Sequence, residues 1–346
     1  MPEFQRPWPV VLALALAVVE AGCSGGATHT EAPGRSVSNR ASPPASAGST
    51  ASPNVPNPFT IVARYRAASL GLRNPRNLAI GPDGNLYITD ASDRVAVVSP
   101  AGKVLRTWGK SGNGPGEFHF VSTDPSDPNA VLASIAVGPD GKVYVSDSGN
   151  QRIDVFSPTG AFVRQFGGSG TGNGRFLAVV DLAVGRTGNV YVADDLQMTL
   201  SKFSANGRFE WSIGGGLADP DLRGHFHLAN VDSHGRVVAA NDEARRIAYI
   251  DARGHKVDVF DPSLGDTGGD PAPCNVTIDA AGNTVVQSCP EGPTTLVFDR
   301  THRLIGAWYD SPFADNVAPR FGPRGEVFAM GGDGTILKLK VALPDA

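Results

Sequence analysis

The chain has 346 residues and a formal net charge of −4, with 42 glycines and 27 prolines against 18% charged residues. It is long for one domain by the usual figure of about 150 residues, which favours a repeat fold grown from similar units. A mildly acidic, sparsely charged composition provides no basic surface for nucleic acid, and no nucleic-acid partner is expected.

Residues 1–23 read as an export signal. Arg6 gives a weakly positive start, diluted by Glu3. Residues 10–19 are an unbroken apolar run, and Ala21-Gly22-Cys23 places small residues before a cysteine. The run is too short to span a bilayer as a mature helix. The pattern resembles a bacterial lipoprotein signal, which implies cleavage before Cys23 and acylation of its thiol, although Glu20 stands where that motif has Leu or Val. Ordinary secretion with Cys23 as a spare thiol is the other reading. Residues 24–58 are mostly Ser, Pro, Ala, Gly and Thr. They lack the apolar surface to offset ordering and are expected to be a disordered tether, with a reach on the order of 30 Å. The chain is therefore expected outside a bacterial membrane, anchored if Cys23 is acylated and secreted if it is not.

From residue 59 the chain reads as strands. Phe59–Tyr65 is a short alternating run. Then Asn77-Leu78-Ala79-Ile80-Gly81-Pro82-Asp83-Gly84-Asn85-Leu86-Tyr87-Ile88-Thr89-Asp90 recurs at 134–147 and 181–194. Each copy is an apolar strand, a turn and a second apolar strand ending in Asp. Pro-Asp-Gly presets φ and supplies the positive-φ position of a tight turn. Gly84, Gly141, Gly188, Gly235, Gly282 and Gly325 mark six such turns, spaced by 57, 47, 47, 47 and 43 residues. Two further strands follow in each copy, as in Arg152–Phe156 and Ala161–Phe166 around Ser157-Pro158-Thr159-Gly160. One repeat is thus a four-stranded antiparallel meander with two apolar faces, which radial stacking of blades would cover. The last repeat ends after Thr335–Val341 without a fourth strand. Phe59–Tyr65 is expected to supply it and so close the ring.

Residues 134–156 resemble the NHL repeat, I-A-V-x-P-D-G-x-V-Y-V-x-D-S-G-N-x-R-I-x-V-F. The resemblance extends over about 59–346 and implies an all-β, six-bladed NHL-type β-propeller. Repeat three departs from it, with Asp194-Asp195-Leu196-Gln197-Met198-Thr199 in place of the Ser-Gly-Asn-x-Arg turn. Repeats four to six end their second strands in Ala240-Asn241, Gln287-Ser288 and Met330-Gly331. The family pattern implies structural roles for Arg94, Arg152 and Arg246, as anchors of the loop between second and third strands. It also implies that the phenylalanine in Gly116-Glu117-Phe118, Gly174-Arg175-Phe176 and Gly224-His225-Phe226 wedges between blades while the middle residue is exposed.

The chemistry-bearing residues fall into three groups. Cys274 and Cys289 flank the turn around Gly282 on opposite strands, within reach of a disulfide in an oxidising compartment. The long connections between blades, 119–132, 215–225, 262–272 and 309–316, all emerge on one face, here called the top. They carry Asp124, Asp127, Asp219, Asp221, Asp266, Asp270, Asp310 and Asp315. Asp90, Asp147 and Asp194 end second strands toward the same face. These are expected to form an acidic rim for a basic peptide, a cation or a glycan, with ordinary Asx-turn chemistry as the competing account. His119 and His227 are the alternative, as ligands of Zn or Ca at the channel mouth, but a third ligand is not evident.

No catalytic nucleophile, phosphate loop or carboxylate pair stands out. The expectation is a monomeric, cofactor-free binding or scaffold propeller with an extracytoplasmic protein, peptide or glycan partner. It would be similar to the extracellular sensor domains of some actinobacterial protein kinases. A metal-dependent lyase or hydrolase is the alternative, since six-bladed relatives include peptidyl-hydroxyglycine lyases and virginiamycin B lyases.

Overall fold

A computed structural model describes residues 55–343, apart from 121, 125, 126, 132, 215–218, 263–271, 290–293 and 315–317. For the rest of 122–131, and at Ala229 and Cys289, it describes the backbone alone. The export signal, Cys23 and most of the expected tether lie outside the described residues.

The strands form six four-stranded antiparallel sheets, each a simple meander. Blade 1 contains Pro75–Ile80, Leu86–Asp90, Arg94–Val98 and Val104–Trp108. Blade 2 contains Ile135–Val137, Val143–Asp147, Arg152–Phe156 and Phe162–Gly167. Blade 3 contains Val179–Val184, Val190–Asp194, Thr199–Phe203 and Phe209–Gly214, and blade 4 Phe226–Val231, Val237–Asn241, Arg246–Ile250 and Lys256–Phe260. Blade 5 contains Ala272–Ile278, Thr284–Cys289, Thr295–Phe298 and Leu304–Trp308. Blade 6 joins Arg320–Phe321, Val327–Met330 and Ile336–Val341 to Phe59–Tyr65 as its outermost strand. The fold is an all-β six-bladed propeller, closed by a strand from the N-terminal side.

Radial position explains the burial pattern. Second strands are covered by a neighbouring blade on each face, and every residue of Leu86–Asp90, Val143–Asp147, Val190–Asp194 and Val237–Asn241 is buried. Outer strands such as Val104–Trp108 and Phe162–Gly167 alternate between half-buried and exposed. The core is accordingly divided into hydrophobic clusters that lie between blades. Leu78, Ile88 and Ala96 of blade 1 pack with Phe328, Met330 and Ile336 of blade 6, and Val238 and Ile247 of blade 4 with Val276 and Val286 of blade 5. The six turn glycines all sit at left-handed φ, from 77° at Gly84 to 87° at Gly282.

Closure uses both ends of the N-terminal strand. Its register places Phe59 opposite Val341 and Tyr65 opposite Ile336. Phe59 packs into the interface between blades 5 and 6, while Tyr65 packs toward blade 1 and donates a hydrogen bond to Pro100 O at 3.1 Å. The expected tether runs four residues too far. Residues 55–58 are docked, with Pro56 O accepting from Ala307 N at 3.1 Å and Pro58 O from Ala342 N at 2.8 Å. Blades 5 and 6 offer backbone donors there, and residue composition alone does not show them.

Candidate functional site

The top face starts from the ends of the second strands. Asp90, Asp147 and Asp194 are 0%, 0% and 2% exposed, so they do not form a solvent-facing rim. Their carboxylates are occupied by the protein itself. Asp90 accepts from Arg73 N at 3.1 Å and Ser92 N at 2.9 Å, and pairs with Arg94 at 2.8 Å. Asp147 accepts from His119 N and Asn150 Nδ2, each at 2.7 Å, and pairs with Arg152 Nε at 2.9 Å. Asp194 accepts from Leu177 N at 2.7 Å and from Gln197 Nε2 at 2.8 Å. Each carboxylate ties the connection arriving from an outer strand to the loop leaving the second strand. Burying charge requires such partners. The expectation of three exposed ligand groups is replaced by three structural clamps.

Repeat three holds its clamp without an arginine. Gln197 bonds both Asp194 and, at 3.1 Å, Arg175 O. Asn150 does the same work in blade 2, bonding Asp147 and Gly112 O. Arg246 follows a different pattern, reaching Asp261 at 2.6 Å and Asp221 at 3.7 Å.

Arg152 is buried. Its guanidinium donates to Asn113 O, Gly114 O and Glu117 O at 2.8–2.9 Å. Asp154, on the same face of the strand, is fully buried with Oδ1 3.1 Å from Arg152 Nε. That contact lacks the alignment of a hydrogen bond, and Arg152 Nη2 donates to the other oxygen, Oδ2, at 3.3 Å. Burial pushes the Asp154 carboxyl up to about 7; Arg152 opposes the rise and Asp147 adds to it. Burial likewise raises Asp147. Asp154 was not singled out from the sequence. The available signal was a charged residue inside the alternating strand Arg152-Ile153-Asp154-Val155-Phe156.

The remaining acidic residues separate further. Asp219 and Asp221 converge on Lys256 Nζ at 2.7 and 2.5 Å, and the Lys256 hydrogen bond holds Asp219 below its usual range. His225 is half-buried rather than exposed. Its Nδ1 lies 2.5 Å from Asp195 and its Nε2 3.8 Å from Glu243. Asp124 and Asp127 face each other across a two-stranded ribbon, Ser122–Asp124 with Asp127–Val131, which belongs to no blade. Their side chains lie outside the described residues, as do Asp266, Asp270 and Asp315. Asp310 is exposed. Leu196, Met198 and Tyr309 expose 68%, 36% and 37% of their surface on the same face.

His119 is exposed and His227 half-buried. Among the described residues, no group of three or more His, Cys, Asp or Glu is placed to hold a metal ion. In blade 5, Ala272 stands opposite Cys289 and a bulge falls at Cys274.

Residues 134–213 match the family model DUF5128, described as a 6-bladed beta-propeller. No curated protein matches the chain. Among solved structures, the chain is similar to a catalytically inactive virginiamycin B lyase from Staphylococcus aureus with quinupristin, at a TM-score of 0.53 and 11% identity over 82% of this chain and 100% of that one. A streptogramin B lyase structure is similar at a TM-score of 0.51 and 12% identity, over 82% of this chain and 98% of that one. At these identities the likeness is one of fold, and a fold of this kind carries many functions.

Proposed function

We propose that this protein is an extracytoplasmic binding or scaffold propeller that receives a protein, peptide or glycan partner on its top face. The observation that supports this most is the ribbon at Ser122–Asp124 and Asp127–Val131. It extends the first connection between blades beyond what the ring requires, and loops on a rigid scaffold are where binding sites usually lie. The exposed Leu196, Met198 and Tyr309 add apolar contact area. Asp124, Asp127, Asp266 and Asp270 are its proposed acidic elements, and the three clamping aspartates are not among them. Photo-crosslinking residues introduced at Leu196 and Tyr309 should trap one discrete partner in intact cells. Asp124→Lys with Asp127→Lys should remove that adduct and leave the melting temperature within about 2 °C, since the ribbon belongs to no blade. An adduct that persists after both reversals would remove the ribbon from the site. Stoichiometric zinc or calcium, lost together with turnover in His119→Ala and His227→Ala, would overturn the binding reading in favour of a metal-dependent lyase or hydrolase.

We also infer that Cys23 carries the lipid anchor and that Cys274 bridges Cys289. The bridge is supported by the pairing of the two strands that carry the cysteines, Ala272–Ile278 with Thr284–Cys289, and by the disulfide state of Cys274. The anchor rests on the apolar run and small residues before Cys23. Non-reducing mass spectrometry of the mature protein reads both claims at once. An acylated N-terminal Cys23 peptide and a linked Cys274–Cys289 pair are expected. Recovery of Cys23 inside a longer unmodified peptide, or of both other cysteines as free thiols, rejects the respective claim.

A further inference from the structure

The lower half of the central channel is lined by a cation, Arg320, whose side chain has no ion-pair partner among the described residues. A cavity of about 250 Å³ lies between the first strands of blades 1, 2, 3, 4 and 6. Leu78, Ile80, Val137, Leu182, Val184 and Leu228 contribute apolar side chains to its walls, polar groups make up the larger share of the exposed lining, and Arg320 lines it. Register shows how unusual Arg320 is. It stands opposite Phe328 in blade 6, as Ala79 stands opposite Tyr87, Ala136 opposite Tyr144 and Ala183 opposite Tyr191. Three repeats have alanine at this inner position and blade 5 has Thr277 opposite Val285. Only the sixth blade, among these, sends a long charged side chain from it.

Arg320 is 9% exposed. Among the described residues it has no hydrogen-bond acceptor and no carboxylate within ion-pair distance. The Asp181 carboxylate acts on it from further away, but its oxygens are already occupied by Ser134 Oγ at 2.8 Å, Leu182 N at 2.8 Å and Leu228 N at 3.0 Å. Burial pushes the Arg320 guanidinium below its usual pKa, and Asp181 pulls it back. Arginine stays charged at physiological pH and carries five N–H donors, and Arg320 brings that charge to the chamber wall. Water could hydrate them, but a charge in such a site is most stable opposite an anion.

The chamber adjoins a second cavity of about 350 Å³ toward the hairpin face, and both are lined by Arg186, Asn230, Val231 and Phe321. Arg186 is exposed there and adds a second cation. The carboxylates lining that outer cavity are engaged elsewhere: Asp232 pairs with Arg236 at 2.7 Å, and Asp279 accepts from Asn283 Nδ2 at 2.8 Å.

We propose that the lower channel is a binding site for a small aliphatic carboxylate, with its carboxylate on the Arg320 fork and its hydrocarbon against the surrounding strand residues. A planar guanidinium matches a carboxylate through two parallel hydrogen bonds. The apolar side chains of Leu78, Ile80, Leu182 and Leu228 give a short hydrocarbon body a surface to lie against beside that fork. The site lies away from the top face and does not depend on the function proposed for that face.

Calorimetric titration of the mature protein with hexanoate, hexanamide and inorganic phosphate tests this. Hexanoate should bind about ten- to a hundredfold more tightly than hexanamide, because only the anion makes the charge-assisted pair. Arg320→Gln should remove that preference, and Arg320→Lys should restore part of it. Equal affinity for acid and amide, tighter binding of phosphate, or unaltered hexanoate binding by Arg320→Gln would each overturn the proposal. So would no binding of hexanoate, which would mean a hydrated structural arginine only. If Arg320→Gln fails to fold, the guanidinium Nε–H resonance of Arg320 in the wild-type protein decides instead. It should shift on adding hexanoate and not hexanamide, and an unmoved resonance also overturns the proposal.

Discussion

Removing residues 59–66 should abolish the cooperative folding of the whole ring, and joining the same strand to the other end of the chain should restore it. The deletion exposes the backbone edge of Ile336–Val341 and uncovers two interfaces at once. Phe59 alone is 4% exposed and packs against Trp308 and Phe313 at centroid distances of 6.2 and 6.1 Å. Phe59→Ala should therefore cost about 3–5 kcal/mol. Losing the entire strand leaves an open sheet that no other element covers. Because Phe59 stands opposite Val341, a short hairpin turn suffices to connect residue 343 to residue 55 in a permuted chain that starts at residue 67. Thermal unfolding followed by circular dichroism compares the three proteins. The deletion should show no sharp transition, and the permutant should melt near the intact protein. A deletion variant that melts cooperatively within a few degrees of the intact chain would show that closure contributes little.

The second large effect is a pH dependence set by Asp154. Its folded pKa of about 7 lies above the ordinary carboxylate value near 3.8. The folded state then binds the proton more tightly than the unfolded chain. The stabilisation is complete below about pH 4 and is lost as pH rises through about 7. The limiting size is about 4 kcal/mol, and sharing of the proton with Asp147 reduces the part expressed by Asp154 alone. Asp154→Asn keeps the shape of the side chain and cannot ionise. It should be nearly as stable as the wild type at pH 5 and more stable at pH 8 by roughly 1–3 kcal/mol. Denaturant unfolding at half-unit pH steps measures the difference. Parallel curves for the two proteins would place the titrating group elsewhere.

The clamps show why sequence reading went as far as it did and then stopped. The Pro-Asp-Gly turns could be read directly because a tight turn makes a local demand that one glycine per repeat meets. Asp90, Asp147 and Asp194 were located correctly at the ends of second strands, yet their exposure was misjudged. What buries them is a loop arriving from another strand: Arg73 N for Asp90, His119 N for Asp147 and Leu177 N for Asp194. Those donors lie 17, 28 and 17 residues away, and no local pattern announces their arrival. The same applies to Asp219 and Asp221, whose charge is met by Lys256 on the outer strand of blade 4.

The sequence by itself determined the architecture, because each repeat carries its own turn, its own strand alternation and its own exposed edge. A missing fourth strand at one end and a spare strand at the other left one economical way to close the ring, and the register of Phe59 with Val341 realises it. Only the tertiary structure decided which charges face outward. Asp154 became a titrating group because blade 2 folds it under Arg152. Arg320 came to line the channel because the ring places alanines at the equivalent positions of three other blades. Burial and charge compensation are properties of neighbours brought together by closure, and a linear repeat specifies the neighbours' identities without their distances.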